Sequence, residues 1–284
     1  MARGGRLTVW PLPLPYPFER EYMQLALLAG LAVGASAPSI GVFLVQRRLA
    51  LLGDGIGHVA FAGVAAGLLL DVWPVATALV AAVLGAVLVE RLRVRDRASG
   101  DVALALVFYS GIAAGVVLVG LSDRFDARLL SYLFGSILTV SPTDAVVVAV
   151  LGAGILAVLA VTGRALFAVL LDEESARVAG LPVDLLNTLL AVLAAVAVVA
   201  AMRVVGVLLV AALMVLPVAA AQLVAGSFRA TARIATGLGV AAVVVGLGVA
   251  RQAGLPPGGT IVLVAAVAYA ITALTGWERR HAER

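Results

Sequence analysis

The chain has 284 residues, of which 63% are apolar and 13% charged, against a charged share of about 25% in a soluble domain. Together with a mean hydropathy of +1.13, this makes lipid the solvent for most of the protein. A soluble enzyme, a disordered chain and a nucleic-acid-binding domain are excluded. The net charge of +4 and the pI near 10.1 come from arginines flanking apolar runs, not from a nucleic-acid-binding face. There is no cysteine, so no disulfide and no thiolate metal site, and no lysine: all 20 basic residues are arginine.

Residues 1–21 form a Pro-rich extension. Arg3 and Arg6 precede four prolines between Pro11 and Pro17, a pattern unlike a cleavable signal peptide. Continuous apolar segments follow at 22–46, 50–70, 74–92, 102–121, 144–162, 183–202, 204–225, 231–250 and 258–276. They predict an all-α polytopic membrane protein with about nine transmembrane helices, eight to ten being compatible with the pattern, and one transmembrane domain over 22–276. The segment 129–140 is too short to cross and is expected to be re-entrant or interfacial. The runs do not alternate polar and apolar residues, which excludes a β-barrel. A charged tail, 277–284, ends the chain.

Orientation follows from arginine placement. With the 91–101 loop in the cytoplasm, 13 arginines fall inside, among them Arg47, Arg48, Arg164, Arg177, Arg229 and Arg233. The outer loops hold only Arg124, Arg128, Arg203 and Arg251. The N-terminus is then outside and the C-terminus cytoplasmic. Glycine pairs four apart (30/34, 53/57, 63/67, 111/115) suit close helix packing. Pro38 and Pro217 lie inside predicted spans and are candidates for kinks along a pathway.

Most of the 16 acids sit in loops or at helix ends; Glu90 is one turn from the arginine cluster and can pair with Arg93 or Arg97. Asp54 is different. It lies four residues before His58, so the two share one helix face at membrane depth. A carboxylate and an imidazole so placed can hold a divalent cation, and a two-fold dimer would supply two of each. Taken alone, the spacing favours an Asp54 N-cap hydrogen-bonded to a core histidine over a metal site. A second polar feature is Asp172-Glu173-Glu174-Ser175-Ala176-Arg177, ended by Gly180 and Pro182. Its start and stop signals predict a short cytoplasmic helix with a Glu173–Arg177 pair, either a docking knob or a surface linker. No phosphate-binding Gly-Lys-Thr loop occurs, so this chain is not expected to be an enzyme that hydrolyses ATP.

Arg47-Arg48, Gly53-Asp54 and His58-Val59-Ala60-Phe61-Ala62-Gly63-Val64 resemble the signature stretch of the zinc/manganese (ABC-3 type) permease family. Leu133-Phe134-Gly135-Ser136-Ile137-Leu138 followed by Pro142, Val205-Gly206-Val207-Leu208-Leu209 with Leu216-Pro217, and Pro257-Gly258-Gly259 are similar to further blocks of that family, in family order. The resemblance implies a type II ABC importer-like permease bundle in the cell (plasma or inner) membrane. It implies a second permease chain forming a homodimer, ATP-binding cassette ATPase subunits below it, and an extracytoplasmic metal-binding protein above. Asp54 and His58 would contact the transported ion. Asp172, Glu173, Glu174, Ser175, Arg177 and Gly180 would form the coupling helix that docks on the ATPase subunit. No permanently bound cofactor is implied; the divalent metal, zinc or manganese, is cargo. The alternative is a permease for an iron–siderophore or cobalamin-type chelate, whose bulky cargo needs no protein ligands to the metal.

Overall fold

The computed structural model describes residues 15–95, 100–121, 127–136, 140–207 and 209–282. Every regular element among them is a helix: α1 (Glu21–Gln46), α2 (Leu52–Leu69), α3 (Pro74–Arg95), α4 (Gly100–Leu121), α5 (Ala127–Phe134), α6 (Pro142–Leu171), α7 (Glu173–Val178), α8 (Val183–Ala201), α9 (Val210–Val224), α10 (Phe228–Ala253) and α11 (Pro257–Ala282).

Eight of these, α1–α4, α6, α8, α10 and α11, are long and apolar enough to cross a membrane. The expected ninth span, 204–225, is corrected to the short helix α9 of 15 residues. Such a helix rises about 22 Å, short of a hydrocarbon core of about 30 Å. The missing turns are replaced by irregular backbone after Met202, in which Gly206 has φ +90. Non-helical backbone is tolerated at such depth only where protein covers it, and Met202, Val204, Val205 and Val207 are all buried.

The cover is the segment predicted too short to span. It forms α5 and an extended exit through Gly135, at φ +75. The Val207 N–H donates to the Tyr132 carbonyl (2.9 Å) and the Ser136 N–H to that of Arg203 (3.4 Å). A side chain on Gly206 would collide with the Leu133 carbonyl, and one on Gly135 with that of Val204. Gly258, at the start of α11, has no room for a side chain against Val205 and Phe134. Three of the blocks that carry the family resemblance thus meet backbone to backbone at one point. Arg203 ties this knot to α6: its guanidinium pairs with Asp144 at 2.5 Å and lies over the Tyr132 ring. Asp144 also closes a capping box with Ser141 at the start of α6.

Helix α1 lies centrally, packed on α6, α8, α9 and α10, while α2 packs on α3 and α4 and, with α3, on α8. Glycines set these approaches. A Cβ on Gly34 would stand 2.9 Å from the Gly239 carbonyl of α10, and one on Gly63 2.7 Å from Ala78 of α3. The Pro38 ring fills the space a side chain at 239 would occupy, so this proline belongs to the α1–α10 seam. Pro217 is buried within α9. The outer flanks of α3, α4, α6 and α11 expose Leu84, Leu106, Val117, Val150, Val161 and Leu263, as lipid-facing surfaces do.

Candidate functional site

Helix α1 ends with Arg48 in a left-handed conformation (φ 60), and the Leu49 N–H reaches back to the Leu44 carbonyl at 2.8 Å. This closure satisfies the last carbonyls of α1 and reverses the chain within a few residues. Helix α2 therefore starts at Leu52 beside the Arg47-Arg48 pair, with Asp54 in its first turn. The N-cap is Leu51, and no side chain caps the helix. No hydrogen bond joins Asp54 to His58 among the described residues. The His58 ring instead stands edge-on to Phe108 of α4, with centroids 4.6 Å apart.

Asp54, His58 and Phe61 are partly exposed, whereas Gly53, Gly55, Ile56, Gly57 and Ala60 between them are buried. The buried side is glycine-rich because neighbours come very close. A Cβ on Gly53 would stand 3.1 Å from the Met214 sulfur of α9, and one on Gly57 3.1 Å from the Val207 carbonyl. Gly111 of α4 approaches the backbone of His58 and Val59 as closely. One face of α2 is thus locked into the bundle, while the carboxylate and the imidazole keep part of their surface exposed. Among the described residues no three His, Cys, Asp or Glu side chains come together, so a single chain offers two ligands. A cavity of about 770 Å³ between α2, α3 and α4 is lined mostly by apolar residues, and neither Asp54 nor His58 lines it.

The second site is α7. Asp172 caps it: its carboxylate accepts from the Glu174 N–H (3.0 Å), the Ser175 N–H (3.1 Å) and the Ser175 hydroxyl (2.6 Å). The Ser175 hydroxyl and the two N–H groups hold this exposed carboxyl below the usual carboxylate range. Acids open the helix and Arg177 closes it, as the helix dipole favours. Gly180 then turns at φ +82 with open space around it.

The expected Glu173–Arg177 pair is corrected. Gly180 and Pro182 fold the first turn of α8 back, so Arg177 pairs with Asp184 at 2.8 Å, which raises the guanidinium pKa further. Glu173 faces the other way, accepting from the Asn187 amide (2.9 Å) and lying 3.8 Å from Arg47. Burial lowers the pKa of Arg47, opposed by the charge of Glu173. Glu90, buried in α3, pairs with Arg93 at 2.9 Å; Arg97 lies outside the described residues. Helices α1, α7 and α8 are therefore joined by polar contacts at the end of the bundle that begins α2. Spacing missed Arg47, Asp184 and Asn187 as partners, since all three are remote in the chain or across a turn. It also missed Val178, an apolar side chain 90% exposed on a charged knob.

Comparison with known proteins places these features. The model of the ABC 3 transport family matches residues 19–276. The manganese import system permease protein ScaB of Streptococcus parasanguinis is 31% identical over 252 residues, 89% of this chain and 90% of its own. The high-affinity zinc uptake system membrane protein ZnuB of Haemophilus influenzae is 30% identical over 202 residues, 71% of this chain and 77% of its own. A chain of PsaBC from Streptococcus pneumoniae, solved in complex with a Fab, superposes with a TM-score of 0.80 at 31% identity, covering 89% of this chain and 91% of that one. With an all-helical, membrane-spanning bundle and a family match over nearly its whole length, the chain belongs to the ABC 3 transport family of membrane permeases.

Proposed function

We propose that this chain is the permease subunit of an ATP-driven importer for a divalent metal ion, manganese or zinc, working as a homodimer. The observation that carries it is the Asp54/His58 pair: a carboxylate and an imidazole one turn apart on α2, both partly exposed and neither hydrogen-bonded within the chain among the described residues. Polar groups at membrane depth are costly without partners. Two copies facing across a two-fold axis would offer two Asp and two His, a donor set suited to manganese and zinc alike. The relatives named for manganese and zinc uptake support the same cargo. An open pair of ligands favours a bare ion over an iron–siderophore or cobalamin-type chelate. A scaffold protein would need neither this pair nor a capped knob, and a proton- or sodium-driven carrier would need further intramembrane acids.

Hydrolysis of ATP is assigned to a separate ATP-binding cassette ATPase subunit docking on α7, where Val178 supplies an apolar contact and Glu174 and Ser175 an exposed polar rim. An extracytoplasmic metal-binding protein would deliver the ion at the opposite end. The arginine distribution supports an outer N-terminus and a cytoplasmic C-terminus. The test is reconstitution of the permease with its ATPase subunit and metal-binding protein in liposomes. Manganese or zinc should stimulate hydrolysis and accumulate inside. Stimulation by a ferric chelate and by neither bare ion would refute the assignment.

A further inference from the structure

Helices α6 and α10 both pack on α1 and leave between them a groove of about 600 Å³. Its α6 wall is apolar, with Leu156 and Leu159, its floor holds Ser39 of α1 already hydrogen-bonded to the Ala35 carbonyl, and the rings of Phe167 and Phe228 bridge it at 4.7 Å. Gly163 stands in the wall with nothing within 4 Å of where a Cβ would be, so the groove is open there. Its mouth lies at the end of the bundle that carries α7 and holds two exposed guanidiniums, Arg164 and Arg229. Neither makes an ion pair or side-chain hydrogen bond within the chain among the described residues. Arg229 is in the first turn of the 26-residue α10, which contains no acid. A cation at the positive end of a helix dipole is unfavourable unless an anion joins it.

We propose that this groove binds an anionic glycerophospholipid of the cytoplasmic leaflet. Its phosphate lies between Arg164 and Arg229, and an acyl chain runs past Gly163 toward Leu156. From Arg164 to Leu156 the helix descends about 12 Å, the depth relation between a headgroup and its chain. Basic pockets between membrane helices on the cytoplasmic side recognise such headgroups. The continuity of charged mouth and apolar wall selects a lipid over a free anion. The site is independent of the cargo and relies only on the membrane bundle and its orientation.

The test is native mass spectrometry of the full-length chain, offered phosphatidylglycerol and phosphatidylcholine with the same acyl chains. The chain should retain phosphatidylglycerol preferentially. Arg164→Gln with Arg229→Gln should weaken that retention about 25-fold, from about fivefold per arginine. Gly163→Phe should displace the lipid with no change of charge, and removing a helical glycine into open space should not impair folding. Arg233→Gln, exposed on α10 but outside the groove, should leave retention at the native level. Native-level retention in either groove variant would overturn the proposal, as would equal loss in the Arg233 variant. So would displacement of the lipid by millimolar inorganic phosphate, which identifies a free-anion site. Loss of ATPase-subunit binding with lipid retention unchanged would assign the arginines to the protein partner instead and overturn it too.

Discussion

Asp54 and His58 are one helical turn apart, and residue spacing alone favours a capping role over a ligand role for the aspartate. Cap geometry depends on the backbone angles where the helix starts, which residue type does not determine. The start at Leu52 puts Asp54 inside the first turn, without a capping hydrogen bond. Asp54→Ala and His58→Ala should each reduce metal uptake by at least about tenfold, the lower bound for losing even a supporting residue of a metal site. Expression and association with the ATPase subunit should stay at the native level. Asp54→Asn retains any hydrogen-bonding role and removes the charge. It should fail in uptake like the alanine variant; normal transport by the asparagine variant would show that Asp54 is not a ligand.

Two elements carry the next predictions. Helix α7 has only six residues and stands on contacts to α1 and α8. These ion pairs are half-exposed at one or both partners, so solvent screening leaves each a minor contribution to stability. Glu173→Ala with Arg177→Ala should therefore leave the fold intact while loosening the knob, seen as weakened ATPase-subunit association or as hydrolysis uncoupled from uptake. Val178→Asp should give the same phenotype without touching those contacts, because Val178 faces only solvent in the single chain; native coupling in this variant would remove Val178 from the docking surface. The second element is the irregular 202–207 segment. Gly206→Ala places a side chain at φ +90 against the Leu133 carbonyl. Positive φ in a non-glycine residue costs on the order of 1–3 kcal/mol, and the backbone overlap adds to it. A clear drop in thermal stability of the detergent-purified chain is expected; an unchanged melting temperature would show that the α5–α9 knot is looser than described.

At the scale of the whole molecule, the arginine asymmetry supports one direction for the bundle, which sidedness labelling tests. The chain has no cysteine, so single cysteines report sidedness without background. Ala98→Cys, between α3 and α4 in sequence and outside the described residues, should react with an impermeant reagent only after permeabilisation. Leu255→Cys, exposed between α10 and α11, should react in intact cells. The reverse pattern at both positions would invert the topology, and with it the leaflet of the lipid groove and the side on which α7 docks.

Hydropathy by itself determined that the protein is a helical membrane bundle and where nearly every helix lies, because a bilayer forces each spanning segment to satisfy its own backbone hydrogen bonds. It also marked Asp54, His58 and the capped α7 segment, since polar groups stand out in an apolar chain. Tertiary structure alone decided the rest. Segment 204–225 looked like a full span because Val205, Val207 and Leu209 are as apolar as lipid-facing residues. Residues 204–207 are instead held non-helical by backbone contacts with Phe134, Gly135 and Gly258, far away in the chain. Arg177 chose Asp184 over Glu173 because a turn at Gly180 brought a nearer carboxylate. Composition reports which solvent a segment tolerates; which groups meet within it is set by distances that exist only once the helices are packed.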